Sequence, residues 1–195
     1  SQRYFGHPEE FERRKNDGGV PYRTPADLAE LAAAAQRGNL PALKPYAHVV
    51  DLVGFVDTCL RTGQLVGAHQ AVPLYWFNEL DGRGPMTVPE SIVEHQAAVR
   101  ELARRGIPVE MNDPNQWSSR WAHDAVFCAD YGLITAVMRE AGVRDLVLQL
   151  QLNKPRETGD LGDLAKMTAS LQLAREVLPA GPAAPAIWRE TRTGI

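Results

Sequence analysis

Three features of the sequence predict an α/β fold built from parallel βα units. Segments of strand, loop and helix character follow one another three times, each helix closing near a Gly or Pro, with a period of about 40 residues. The loops after strands are long and polar, whereas each next strand starts within a few residues of a helix end, an asymmetry typical of barrel and doubly wound enzymes. No two-residue hairpin signal separates any pair of strands, so antiparallel pairing through tight turns is not expected. A closed eight-stranded barrel needs about 250 residues, so 195 residues predict either an open sheet or part of a barrel completed by more polypeptide.

Residues 1–63 read as a helical N-terminal segment. In "TPADLAELAAAAQRG" (24–38), Thr24 is placed to cap, Pro25 occupies the first helical position and Asp27 the first turn. After the Pro-broken link "NLPALKPYAH", Val49, Leu52, Val53, Val56 and Leu60 recur at helical spacing, and Gly63 can end the turn. Residues 64–178 form the three units. The strand "QLVGAHQAV" (64–72) leads through "PLYWFNELDGRGPM" to a helix near 88–105, opened by the capping box Thr87-Val-Pro-Glu90 and ended at Gly106. The strand "IPVEMND" (107–113) leads through the loop "PNQWSS" to a helix whose Phe127, Tyr131, Ile134 and Met138 share one face, closed by Gly142. The strand "VLQLQLN" (147–153) leads through "KPRETG" to a helix with a stripe of Leu164, Met167, Leu171, Ala174 and Leu178. In 179–195, "PAGPAAPA" resembles a linker and "IWRETRTGI" starts a further element.

Composition narrows the classes. Apolar residues make up 44% and charged residues 23%, ordinary for a globular domain. A net charge of −3 without clustered Lys and Arg argues against nucleic-acid binding. No apolar run is long enough to span a bilayer, and the first residues do not read as a signal peptide. Cys59 and Cys128 both fall in helical patterns, as buried free thiols would, which predicts a reducing cytoplasm.

The chemistry is expected at the strand ends. Side chains alternate across a strand, so Gln149, Gln151 and Asn153 form one row opposite the leucines, and Glu110 and Asn112 form another. With helices covering the leucine row, the amide row points into another layer or a barrel lumen. A buried amide left unpaired costs about 1–3 kcal/mol, so the pattern predicts a polar cavity that hydrogen-bonds a polar ligand. Neighbouring strands or water could satisfy the amides instead. The candidate acid/base residues are Glu110 and Asp113. The candidate ligand-binding residues are His69, Gln70, Asn112, Gln149, Gln151 and Asn153. Tyr75, Trp76 and Phe77 could cover a planar ligand or pack as core. Glu94-His95 and His123-Asp124 read as surface pairs, and Lys166 as an exposed partner of Asp163. No CxxC or HExxH supports a metal, and no GxSxG elbow, P-loop or dinucleotide fingerprint occurs.

The text from "SSRWAHDAV" to the Pro/Ala stretch, above all "DLAKMTASLQLAREVLP" with its "LQLAREVLP" (171–179), resembles the barrel-forming large subunit of the adenosylcobalamin-dependent aminomutases, such as lysine 5,6-aminomutase and D-ornithine 4,5-aminomutase. "GAHQAV", "EHQAAV" and "MNDPNQWS" add to the likeness. The resemblance implies a TIM barrel, here a partial one, whose mouth faces the cobalamin. It implies isomerisation of an amino acid by radical migration of an amino group, with pyridoxal phosphate holding the substrate. In that family a separate Rossmann-like domain carries the cobalamin-ligating His and the pyridoxal Lys. Its DxHxxG motif is missing from this sequence, so the implied role is the substrate-side barrel component of an oligomeric assembly, partnered by a cobalamin-binding domain or chain. No single catalytic residue carries over. The residues fit two other readings: a different TIM-barrel enzyme, lyase or hydrolase, on a small polar substrate, or a non-catalytic scaffold subunit.

Overall fold

The computed structural model describes residues 24–41, 44–46, 51–63, 69–76, 78–82, 84, 86–154 and 158–193. The expectations for 1–23, Val49, the first part of the strand at 64–68, Phe77 and 155–157 lie outside them. Four strands, β1 (Gln70–Val72), β2 (Val109–Met111), β3 (Asp145–Leu152) and β4 (Ala186–Thr193), form one parallel sheet in the order β1-β2-β3-β4. Tyr46 adds a parallel bridge to Ala71 on the outer side of β1. Among the described residues there are six helices: α1 (Pro25–Ala35), α2 (Leu52–Arg61), α3 (Val88–Arg104), α4 (Asp113–Ser118), α5 (Asp124–Glu140) and α6 (Asp160–Glu176).

Strand order follows chain order without reversal. Right-handed crossovers in a sheet that never reverses direction place every connecting helix on the same face. The core agrees. Leu146, Leu148 and Leu150 of β3, Val109 and Met111 of β2 and Val72 of β1 meet Ala98, Val99 and Leu102 of α3, Phe127, Tyr131, Ile134 and Met138 of α5, and Ala174 of α6. The leucine row of β3 therefore faces helices, as alternation requires.

The helix ends follow local sequence. Thr24 with Asp27 and Thr87 with Glu90 both close reciprocal capping boxes, and each helix has Pro in its first turn. The Asp51 carboxylate caps α2 by accepting from the Gly54 amide at 2.8 Å. A Cβ on Gly54 would lie 2.1 Å from an Asp51 oxygen, so a larger residue there would push the capping carboxylate aside. Gly106 and Gly142 follow α3 and α5 with φ of +69° and +82°, the left-handed stop that lets the chain turn directly into the next strand.

One element differs from expectation, and three others gain definition. "PNQWSS" is not an open loop: Pro114–Ser118 lie in α4, begun at Asp113. β1 starts at Gln70 with His69 just before it, and the expected earlier part, 64–68, lies outside the described residues. The further element expected after the Pro/Ala stretch is β4, which pairs with β3 along its whole length. The buried side of α6 carries Asp163, Lys166, Ser170 and Ala174, while Leu164 is 53% exposed. Met167, Leu171, Ala174 and Leu178 of the expected stripe pack on the core, and Asp163 and Lys166 join them because they pair with each other and can be buried together.

Leu148→Ala is expected to cost about 2–5 kcal/mol through loss of core contacts. Leu164→Gln, on the exposed side of α6, is expected to stay within about 0.5 kcal/mol of the native chain. Urea unfolding midpoints with unchanged m-values check both.

Candidate functional site

The face of β3 opposite the leucines is buried and polar. Gln149 is 5% and Gln151 0% exposed. Gln151 Nε2 donates to Gln149 Oε1 at 3.1 Å, and Arg192 of β4 donates to the same oxygen at 3.4 Å. The Gln149 backbone carbonyl accepts from the Tyr131 hydroxyl. The Gln151 amide nitrogen is thus turned to Gln149, and its Oε1 is left without a partner. Glu110 Oε1 and Asn112 Oδ1 are likewise buried and unpartnered. Ala71, Glu110, Val147 and Trp188 are level across the sheet, and Gln149 is level with Glu190, so Glu110, Gln149 and Gln151 share this face.

At the β1 side of this face, four charged or titratable groups converge. Lys44 Nζ donates to Glu110 Oε2 and to Glu190 Oε1, both at 2.9 Å. His69 Nε2 lies 2.9 Å from Glu110 Oε2 and 3.4 Å from Glu190 Oε2. Glu110 itself is fully buried, Lys44 and His69 are partly covered, and Glu190 opens toward solvent. Burial works to raise the Glu110 carboxyl, but the His69 hydrogen bond and the Lys44 ammonium outweigh it and hold it below the usual range. For Lys44 burial works the other way, and the two glutamates overcome it and raise the ammonium. Both shifts favour the ionised pair.

A second group lies past the carboxyl ends of β1 and β2. Asp113 is fully buried and accepts from the backbone amides of Leu74 at 2.7 Å and Tyr75 at 3.4 Å. The carboxylate thereby pins the loop that leaves β1. Tyr75 donates to Asp130 at 2.9 Å and accepts from the Trp117 indole. Trp76 packs edge-on against Trp117 at 5.1 Å between centroids, under the Arg120 guanidinium at 4.3 Å. The described aromatics of this loop thus pack on protein. Burial pushes Asp113 well up, and the nearby Asp130 adds to it against the pull of the amides. Burial pushes Asp130 up to about 7, with the Tyr75 hydrogen bond opposing.

Of the expected site residues, the fold brings together Glu110, His69, Gln149 and Gln151 on one face, with Asn112 just past the end of β2. Gln70 is on the opposite, helix-side face, level with Val109, and its amide nitrogen is used by the carbonyls of Pro45 and Ala71. Asn153 is exposed beyond β3 with φ +49°, so it continues neither the strand nor the buried row. Two pairs read as surface features are not. Lys166 is buried, 3.1 Å from Asp163 and over the Phe127 ring at 5.2 Å. His95 is buried with Nδ1 2.8 Å from the Leu74 carbonyl, and Glu94 accepts from the Leu52 amide. Burial lowers His95, so its neutral form is favoured. Cys59 is buried and its thiol pushed up to about 12, whereas Cys128 is half-buried.

Lys44, Glu190 and Asp130 were not singled out from the sequence. Lys44 sits in a Pro-rich link, Glu190 in an unassigned tail and Asp130 on a helix, and only tertiary pairing joins them to the site. Two surface grooves occur elsewhere, one lined by Met86, Pro89 and Val93 and one by Thr168, Leu171 and Arg175. No family model, curated protein or solved structure matches this chain. Among the described residues, no helix is long and apolar enough to cross a membrane.

The raised Asp130 carboxyl makes stability depend on pH. Between its ordinary value of 3.8 and about 7, the folded chain holds a proton that the unfolded chain releases. This contribution is complete below pH 3.8 and is lost as pH rises through about 7. The stability difference between native protein and Asp130→Asn should therefore fall from pH 4 to pH 7, by at most about 1.4 kcal/mol per unit. Urea titrations of both proteins across that window measure it.

Proposed function

We propose that the chain is the substrate-side component of a barrel enzyme, and that the buried polar face of its sheet holds a small polar substrate. One observation carries the reading: Glu110, Asn112 and Gln151 each keep an unpartnered buried oxygen at this part of the fold. All three are acceptors. Each unsatisfied acceptor costs about 1–3 kcal/mol, which a ligand bearing N–H or O–H groups would recover. Gln149 and Arg192 stand beside them and can orient such a ligand.

A partial TIM barrel is the architecture that best accommodates this face. A parallel sheet wound in one direction, with helices on one side, curls toward closure around its other side. β4 supports the idea: it is an eight-residue strand, largely exposed, with Trp188 uncovered, and among the described residues nothing pairs with its outer edge. An exposed edge of that length calls for another strand.

The resemblance to the adenosylcobalamin-dependent aminomutases gives the reaction class, isomerisation of an amino acid or similar small molecule. An ammonium or amino group on the substrate suits a face of orphaned acceptors. A phosphate does not suit it, because these oxygens and the two glutamates repel an anion. Pyridoxal phosphate and adenosylcobalamin would accordingly be held by a partner domain or chain. This chain's part is to bind and orient the substrate, with Glu110 supplying negative charge. Asp113, pinned to two backbone amides, positions the loop at the mouth.

Adding the protein, together with its cobalamin-binding partner, to adenosylcobalamin should shift the visible spectrum of the coenzyme, and a failure to shift removes the cobalamin reading. Independently, a thermal-shift panel should find stabilisation by amino acids or polyols and none by carboxylates lacking donors. Gln151→Leu should weaken the best of these ligands about tenfold or more. Equal stabilisation of native and variant protein would exclude the proposed face.

A further inference from the structure

We infer that His69, Glu110 and Glu190 form a binding site for one divalent first-row metal ion, which Lys44 occupies with its own ammonium when the ion is absent. The three potential ligand atoms lie within 4.8 Å of one another. Their separations suit direct coordination. With metal–ligand bonds of about 2.1 Å, neighbouring ligands stand about 3.0 Å apart at right angles and about 3.4 Å apart in a tetrahedron. His69 Nε2 is 2.9 Å from Glu110 Oε2 and 3.4 Å from Glu190 Oε2.

An independent feature marks the place as built for a cation. Glu110 is fully buried, aims its carboxylate into the cluster, and keeps Oε1 without any partner. A buried carboxylate oxygen in that state asks for a further positive or donor group. Lys44 shows that positive charge is held here, since its Nζ bridges both glutamates at 2.9 Å. One ammonium leaves two carboxylates short of one charge, whereas a divalent ion with a neutral imidazole balances them. Lys44 is partly exposed and Glu190 more so, which gives the ion an entry path and the lysine room to withdraw.

The donor set selects the ion. One imidazole and two carboxylates suit zinc, manganese, iron(II) or cobalt better than magnesium or calcium, which prefer all-oxygen shells. No sequence motif carries the site, because its ligands come from three separate strands or strand starts. The site shares Glu110 with the proposed substrate face; metal binding reads through His69 and Glu190 and substrate binding through Gln151, so either can fail without the other.

Isothermal titration of the metal-free protein with Zn(II) or Mn(II), and visible spectroscopy with Co(II), test it. One equivalent should bind. His69→Gln and Glu190→Gln should each weaken binding tenfold or more, and Glu190 lies on an exposed strand where this change should not disturb folding. Lys44→Met should tighten binding, because it removes the competing ammonium; circular dichroism confirms that the variant is folded. Absence of binding to both the native protein and the folded Lys44→Met variant overturns the site. Binding that is unchanged in His69→Gln and Glu190→Gln overturns it as well, by placing the ion elsewhere.

Discussion

The register of β3 against its two neighbours is the constraint on which the remaining structure depends. Glu110 is level with Val147, and Gln149 with Glu190, so one alternation decides the surroundings of every side chain on both faces. A slip of one residue would turn Leu146, Leu148 and Leu150 away from α5 and drive Gln149 and Gln151 into the helices. Eight ladder positions with β4 and the apolar packing of three leucines both oppose that slip. The polar face is therefore held in place by the apolar one behind it.

The charged cluster reaches its geometry by a different route. Its members lie 25, 41 and 80 residues apart along the chain, from Lys44 to His69, Glu110 and Glu190. Nothing local brings them together, and short β1 and β2 strands leave little backbone pairing to do so. The Tyr46 bridge to Ala71 and the Gln70 bond to the Pro45 carbonyl anchor the segment that carries Lys44. The salt bridges then help to hold this outer segment on the sheet. Removing one member of a buried ionic group leaves the others uncompensated, so the cluster constrains local structure as well as charge.

The parallel arrangement and the helix boundaries were legible because they rest on local signals. Thr24, Thr87 and Gly106 act on their own neighbours, and the residues that follow them do not alter that. The buried amides of Gln149 and Gln151 were legible too, since alternation over seven residues is a local pattern with a tertiary meaning. Naming His69 and Gln70 together overlooked that adjacent residues of a strand point to opposite faces. Lys166 and His95 were misread for another reason. A charged or polar side chain is buried when a particular partner waits for it, and Asp163, Phe127 and the Leu74 carbonyl are partners that spacing alone does not announce. Glu190 could have been flagged only by knowing that its segment is a strand of the same sheet.

The partition of donors and acceptors on the polar face has a chemical consequence. Gln151 spends its amide protons on Gln149, Arg192 spends one on the same side chain, and the Lys44 protons go to two carboxylates. Several donors near the face are therefore committed within the protein, while oxygens of Glu110, Asn112 and Gln151 are not. Selectivity follows from what is left over. A ligand rich in N–H or O–H groups completes the existing pattern, whereas an acceptor-rich anion must first break it and leave buried donors to find new partners. Such a surface discriminates by the penalty it imposes on the wrong ligand, which is how buried hydrogen-bonding sites achieve large ratios between close analogues. The same arithmetic makes the face demanding when empty, since its uncommitted oxygens then lower stability in proportion to their burial. Binding and folding at this site thus draw on one set of atoms, and a ligand that satisfies them stabilises the sheet that positions them.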